Sequence, residues 1–411
     1  MSGGSWAAGR REELRGLSVT DALRTPHGDV PLPAFFPDAT RGVLRSLDAA
    51  DLEACGVPGL VVCAFHLARR PGSKALAAMG GIHRLMGWAR PIISDSGGFQ
   101  VFSLIRQNPR LGTITNREAI FRSAEGQKAQ RLSPEKSIQI QLRLGADILV
   151  CLDDCTHPSA PPSEQAASVA RTIAWAERCK AEFERGEGRQ PRRDRLKAEL
   201  RTEDRLKAGL QTEEGGVRSP AFRRPSAEDA RPLLFAVVQG GADPELRRLC
   251  ARELVAIGFD GYCYGGWPFD AEGRLVSDIL ALTAELLPAD KPRYALGIGN
   301  PAALIACVRM GYDLFDCALP TRDARRGRLY VFGGEGQLSH RRLYIRDAEH
   351  RRDARPVSEA CDCLCCRAYS RAYLHHLFAV GDSLAWRLAT IHNLRFYTTL
   401  LGRLRDGGPC A

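Results

Sequence analysis

Residues Gly311 to Arg328 read GYDLFDCALPTRDARRGR. A short apolar strand, Leu314 and Phe315, ends in a carboxylate, Asp316. Cys317-Ala318-Leu319 and a turn at Pro320 follow, and then come Arg322, Arg325, Arg326 and Arg328. An acid at the end of a buried strand, with four guanidiniums directly after it, fits a nucleophile beside a polyanion. The plainer alternative is a capped strand end leading into a solvated basic loop, the usual place for a run of charge. The rest of the chain decides, because the same pattern recurs in it.

Seven further apolar runs end in small or polar residues. They are PAFFPDAT (33–40), LVVCAF (60–65), PIISDSGG (91–98), DILVCLDD (147–154), LLFAVVQGG (233–241), GYCYGG (261–266) and YALGIG (294–299). Amphipathic helical segments lie between most of them. Ser133-Pro134-Glu135 opens one with a capping hydroxyl and a proline at the first helical position, and 244–257, 275–287 and 301–310 are others. Nearly continuous apolar strands alternating with helices predict a parallel sheet covered on both faces. Eight such units favour a closed (β/α)₈ TIM-type barrel, an α/β fold whose active site sits at the C-terminal strand ends. The carboxylates, Gln239 and the glycine pairs fall at those ends.

The chain has 411 residues, a net charge of +10 and a sequence pI near 9.0, which favours an anionic partner, nucleic acid before membrane. Met1 to Arg11 lacks the apolar core of a signal peptide, and no run reaches the ~18 apolar residues of a membrane span, so a cytoplasmic protein is expected. Residues 184–232 break the regularity. They are rich in Arg and Glu and carry a tandem repeat, DRLKAELRTE then DRLKAGLQTE, with too few apolar residues to bury a face. We read a charged surface insertion there. Residues 1–30 read as an N-terminal extension, 31–330 as the barrel, and 331–411 as a zinc-binding subdomain with C-terminal helices.

That last reading rests on CDCLCC, which supplies Cys361, Cys363 and Cys366, and on His392 in ATIHNLRFYTTLL. Three thiolates and one imidazole make a closed tetrahedral zinc site with no position for a substrate water, hence one structural Zn²⁺ per chain. The alternative is buried free thiols and an unrelated histidine. Cys365, His375 and His376 are rival ligands.

Together these pieces resemble the tRNA-guanine transglycosylase (queuine tRNA-ribosyltransferase) family. The resemblance is carried by DSGGFQ (95–100), LSPEKSIQIQ (132–141), the aspartate pair Asp153-Asp154, VVQGG (237–241), the DLFDC–PTR block and the cysteine cluster with its distant histidine. It implies exchange of the wobble guanine of tRNA for a 7-deazaguanine, queuine or 7-aminomethyl-7-deazaguanine, in queuosine biosynthesis. By the resemblance Asp316 is the nucleophile, forming a covalent aspartyl-ribose intermediate, and Asp95 the general acid and base. Asp153 reads the base edge with Gln239, Gly265 and Gly266, while Ser96, Gly97, Phe99 and Leu296 line the pocket. Arg322 and Arg325 contact tRNA, with Arg326 and Arg328 adding phosphate affinity. The family implies a dimer, here a homodimer.

Three stretches depart from the family pattern. Cys63-Ala64-Phe65-His66-Leu67 lacks the usual amide beside the catalytic aspartate, Trp267 to Glu272 replaces the usual loop after the glycine pair, and Phe36-Pro37-Asp38-Ala39-Thr40 ends the first strand. Cys155 and Phe269 lean towards 7-aminomethyl-7-deazaguanine. The competing expectations are a non-catalytic tRNA-binding partner subunit and a paralogue acting on another guanosine. Retention of Asp95, Asp153 and Asp316 argues against the first, and the short tail after His392 against the second.

Overall fold

The computed structural model describes residues 22–122, 126–187, 231–334 and 338–407. One sheet holds eight parallel strands: β1 (Ala34–Pro37), β2 (Leu60–Cys63), β3 (Ile92–Asp95), β4 (Ile148–Val150), β5 (Leu233–Val238), β6 (Gly261–Tyr264), β7 (Arg293–Ala295) and β8 (Leu314–Cys317). Their order is β1-β8-β7-β6-β5-β4-β3-β2, and a parallel bridge from Asp38 to Val61 brings β1 back to β2. The eight runs picked out from the sequence are these eight strands, and the chain forms the expected (β/α)₈ barrel.

The covering helices start where their caps dictate. The Ser133 hydroxyl accepts the Lys136 N–H at 3.3 Å to open Pro134–Leu144, and the Asp243 carboxylate accepts two N–H groups at the head of Pro244–Ile257. Asn300 does the same before Pro301–Arg309. The segment expected as a helix over 275–287 is helical over Ser277–Glu285.

Alternation along the strands builds two apolar layers. Ala34 and Phe36, Val61, Ile93, Ile148 and Val150, Phe235 and Val237, Cys263, Tyr294 and Leu314 pack together as the barrel interior. Their neighbours, among them Leu60, Ile92, Leu149, Leu234 and Tyr262, join the core under the outer helices. Burial of both faces is why the strands read as unbroken apolar runs. It also locates the site. Two residues beyond the last interior apolar position, on the same inward parity, stand Asp38, Cys63, Asp95, Gln239, Gly265, Leu296 and Asp316.

Three segments differ from their expected form. Of the N-terminal extension, Ala22–Thr25 and Gly28–Pro31 form an antiparallel hairpin whose Leu23 and Val30 enter the interior cluster, plugging the far end of the barrel. The stretch read as a turn and basic loop is the helix Leu319–Arg325, with Pro320 in its first turn, where its missing N–H costs nothing. The charged insertion lies outside the described residues from 188 to 230, but Glu184 to Glu187 continue the helix Pro162–Glu187.

After the barrel, Arg328–Phe332 and His340–Tyr344 pair antiparallel. The chain then runs through Leu364–Ala368 and Arg371–Val380 into the long helix Ser383–Arg405. That helix returns to the barrel. Its Tyr397 hydroxyl donates to the Gly299 carbonyl at 2.5 Å, and Arg405 Nη1 donates to the Pro33 carbonyl at 2.8 Å. None of the described helices is long and apolar enough to cross a membrane.

Candidate active site and metal centre

The barrel mouth collects carboxylates from separate strands. Asp95 ends β3. Its Oδ1 accepts the N–H groups of Ala64 and Gly97, each at 3.1 Å, and its Oδ2 accepts from Gln100 Nε2 at 3.3 Å. Gly97 adopts φ of 80°, and a Cβ there would lie 2.8 Å from Phe65 Cβ, so only glycine turns the chain this tightly. The Cys63 thiol, which stands beside Asp95 across the β2–β3 ladder, hydrogen-bonds the same carboxylate. Burial nevertheless pushes Asp95 up to about 7, outweighing these donors.

Asp316, in β8, accepts the Gly297 N–H on Oδ1 at 2.9 Å and a hydrogen bond from the Tyr294 phenol. Burial lifts it to about 6, with the charge of Asp38 adding to the rise. Asp38 in turn is held by Thr40, whose N–H donates to Oδ1 at 2.7 Å and whose hydroxyl donates to the same oxygen. Asp153 lies just past β4, and its Oδ2 accepts from Gln239 Nε2 at 2.6 Å. It too is raised by burial to about 6.

Its neighbour Asp154 faces elsewhere. Buried, it pairs with Arg171 on the outer helix, while its main chain bonds Thr172 and Ser168. The two adjacent aspartates thus turn different ways, Asp153 to Gln239 and Asp154 to Arg171.

Gly265 gives Gln239 its room, since a Cβ there would sit 2.6 Å from Gln239 Nε2. The β5 and β6 loops are held by Arg247, which the sequence reading passed over. Fully buried, it donates to the carbonyls of Val238 at 2.7 Å, Gly265 at 2.9 Å and Gly241 at 3.0 Å, and its guanidinium stacks 4.4 Å over the Tyr264 ring. Tyr294 was missed likewise. An arginine on an amphipathic helix and a tyrosine in an apolar strand carry no signal of role until the fold shows what they reach.

The remaining pocket candidates divide. Ser96 is buried and its hydroxyl accepts the Gly98 N–H at 3.2 Å, while Leu296 sits half-buried against the barrel interior and Gly266 beside Arg247. Phe99 is 51% exposed, with its ring 6.1 Å from Trp267, which is itself 40% exposed and edge-on to His157. Phe269 packs against the outer core with Leu275. Trp267 is therefore the residue of the altered loop that stands free beside Phe99, and Phe269 is packing.

The guanidiniums form one patch at the mouth. Arg322 and Arg326 are exposed. Arg325 is pushed below the ordinary guanidinium range, first by burial and then by Arg45, with Arg322 and Arg326 adding to it. Arg45, from the loop after β1, extends the patch and was not anticipated. Arg328 differs, since its Nη1 lies 3.6 Å from Asp323 and part of its charge is spent inside the fold.

At the C-terminal end, Cys361, Cys363, Cys366 and His392 bring their ligand atoms within 4.8 Å of one another. His392 Nδ1 is 3.2 Å from Cys366 Sγ and 3.8 Å from Cys363 Sγ, and its Nε2 meets the Tyr330 carbonyl at 2.8 Å, which fixes the ring for ligation. Hydrogen bonds from Cys361 and Cys366 hold the Cys363 thiol far below its ordinary range. Three convergent sulfurs and a pre-oriented imidazole fit a tetrahedral metal. The rivals are excluded: Cys365 is buried in the core, His375 bonds the Ile345 carbonyl at 2.9 Å, and His376 lies outside the cluster. Asn393, next to His392, donates to the carbonyls of Pro320 and Arg328, both at 3.0 Å, and accepts the Tyr330 N–H. One turn of helix thus joins the metal site to the arginine-bearing helix.

The family model described as "Queuine tRNA-ribosyltransferase" matches residues 19–407. Curated proteins of that name are similar over nearly the whole chain. The one from Solidesulfovibrio magneticus is 36% identical over 391 residues, covering 95% of this chain and 91% of its own. That from Thermoanaerobacter pseudethanolicus is 38% identical, covering 93% and 88%, and that from Thiobacillus denitrificans is 38% identical, covering 93% and 89%. The closed barrel, the acid-lined mouth and this similarity lead to one conclusion: the chain belongs to the queuine tRNA-ribosyltransferase family.

Proposed function

We propose that the protein exchanges the wobble guanine of tRNA for a 7-deazaguanine through a covalent intermediate on Asp316. As a member of its family it is a tRNA-guanine pentosyltransferase, and the carrying observation for the finer reading is the trio Asp95, Asp153 and Asp316. Each sits at a different strand end and is raised by burial towards neutrality, so that acid and base forms are both accessible near pH 7.

In the first step an Asp316 oxygen bonds to C1′ of the ribose as the C1′–N9 bond breaks, and the departing guanine takes a proton from Asp95. In the second, the incoming base loses its N9 proton to Asp95 and attacks C1′, and the Asp316 carboxylate leaves. One N-glycoside replaces another, so no energy source is consumed. Gly297 N–H and the Tyr294 phenol hold Asp316 on line. Asp153, braced by Gln239, accepts from the ring N–H and amino groups of the base. Phe99 and Trp267 offer exposed ring faces for stacking, and the arginine patch takes the phosphates. Cys361, Cys363, Cys366 and His392 hold zinc, whose part is structural, and the protein acts as a homodimer. Cys155, buried two residues after Asp153, supports 7-aminomethyl-7-deazaguanine as the incoming base.

The test is base exchange on unmodified tRNA with either deazaguanine, the nucleosides read by mass spectrometry. Incorporation is expected, and Asp316→Ala lowers it by at least about 10³-fold while tRNA still binds. Tight tRNA binding with no exchange in the unaltered protein sinks the reading and makes the chain a binding partner. The pH dependence follows from the same groups. Ionised Asp316 is lost below about pH 6 and protonated Asp95 above about pH 7, so the rate rises and then falls across that window.

A further inference from the structure

At the end of the barrel opposite the mouth, a second cluster of ligand-type side chains has no part in the reaction. Asp147 stands just ahead of β4, fully buried. His27, in the turn of the N-terminal hairpin, places Nδ1 2.6 Å from Asp147 Oδ1, and His83, in the helix Ile82–Met86, places Nε2 3.0 Å from Oδ2. The two rings stack with centroids 3.6 Å apart and 14° between planes, so both nitrogens face the same carboxylate. The backbone holds that carboxylate still, since Ile92 N–H donates to Oδ2 at 2.8 Å and His27 N–H to Oδ1 at 3.0 Å.

One atom is left over. His83 Nε2 is buried and, despite its distance from Oδ2, makes no aligned hydrogen bond. An imidazole nitrogen buried in this way, converging with a second imidazole and a fixed carboxylate, is the donor set of a metal site, and the three ligand atoms lie within 4.8 Å of one another.

We propose that His27, His83 and Asp147 bind a divalent transition-metal ion, Zn²⁺ in the first place, at the floor of the barrel. Two imidazoles and a carboxylate select a borderline cation over Mg²⁺ or Ca²⁺, which prefer all-oxygen shells. The ion takes bonds of about 2.0–2.2 Å from N and O, with the two rings turned out of their stack so that each nitrogen's in-plane lone pair points at it. Water supplies the fourth ligand, reached past His27, whose side chain is 29% exposed. The ion acts as a staple. It ties the hairpin that plugs the interior to the strand that carries Asp153 at its other end, and it supports the fold without touching substrate.

The full-length protein, loaded with Zn²⁺ or Co²⁺ and freed of excess, is assayed for bound metal by mass spectrometry alongside His27→Ala and His83→Gln. The unaltered chain is expected to carry a second equivalent beyond the one held by the cysteine cluster, and both variants to lose it. In the cobalt form the thiolate charge-transfer bands stay in all three proteins, and only the weaker visible bands of a nitrogen–oxygen site disappear from the variants. Melting temperature supplies a second readout, since a ligand bound only by the folded state raises it with free concentration. Above the zinc level that saturates the cysteines, it should keep rising in the unaltered chain and stay flat in the variants. A single equivalent in the unaltered chain, or a second equivalent that survives both substitutions, overturns the proposal. The triad is then a hydrogen-bonded clamp only.

Discussion

Asp316 shows how a single residue acquires a role from what surrounds it. Its place at the end of an apolar strand is legible in LFDC, but its proton affinity depends on burial, on the Gly297 N–H and on a phenol from the next strand. Burial raises the carboxyl and the Tyr294 hydroxyl opposes that rise by donating to the ionised form. Tyr294→Phe removes the opposing donor without changing volume much, so the pKa of Asp316 goes up. The acid limb of the pH–rate profile should move to higher pH by about one unit, with the alkaline limb in place. An unmoved acid limb would mean that another group sets it. Asp153 and Asp154 make the complementary point. Adjacent in sequence and identical in type, they differ because one meets Gln239 and the other Arg171.

Among the elements, the helix Ser383–Arg405 does the most connecting. His392 joins the cysteine cluster, Asn393 pins the carbonyls of Pro320 and Arg328, and Tyr397 reaches Gly299. The cysteine cluster therefore holds the arginine-bearing helix at one remove. Cys363→Ala is expected to release the metal and lower the melting temperature by on the order of 10 °C. In the protein that remains folded, KM for tRNA should rise while the pH dependence of turnover is unchanged, because the aspartates are mounted on the barrel strands. Equal losses of both parameters at all pH values would show instead that the metal supports the mouth itself. The hairpin Ala22–Thr25 with Gly28–Pro31 was not visible as an element. Its two short strands are marginal alone and exist because Leu23 and Val30 have an apolar barrel floor to enter.

For the whole molecule, the net charge of +10 matters through its distribution. Arg45, Arg322, Arg325 and Arg326 gather beside the acid-lined mouth, whereas Arg328 is paired and Arg247 is buried. Removing an exposed guanidinium should weaken tRNA binding and flatten its salt dependence. For Arg322→Ala we expect the slope of log K against log salt to fall by about 1, and for Arg45→Ala a similar change. Arg328→Ala should alter the slope less, because Asp323 already offsets part of its charge. Filter binding across a salt series distinguishes these outcomes, and equal slopes for all three variants would contradict the patch described here.

Sequence alone determined the barrel, because eight runs buried on both faces must be continuously apolar and their spacing leaves room for one helix each. It also placed aspartates at strand ends and singled out Cys361, Cys363, Cys366 and His392, which the fold brings together. It did not determine which way Asp153 and Asp154 turn, that the arginine run is a helix, or that Tyr294, Arg247, Asp38 and Arg45 reach the barrel mouth. Those depend on contacts between segments remote in the chain, where direction and distance decide and composition is silent. Tertiary structure alone set them.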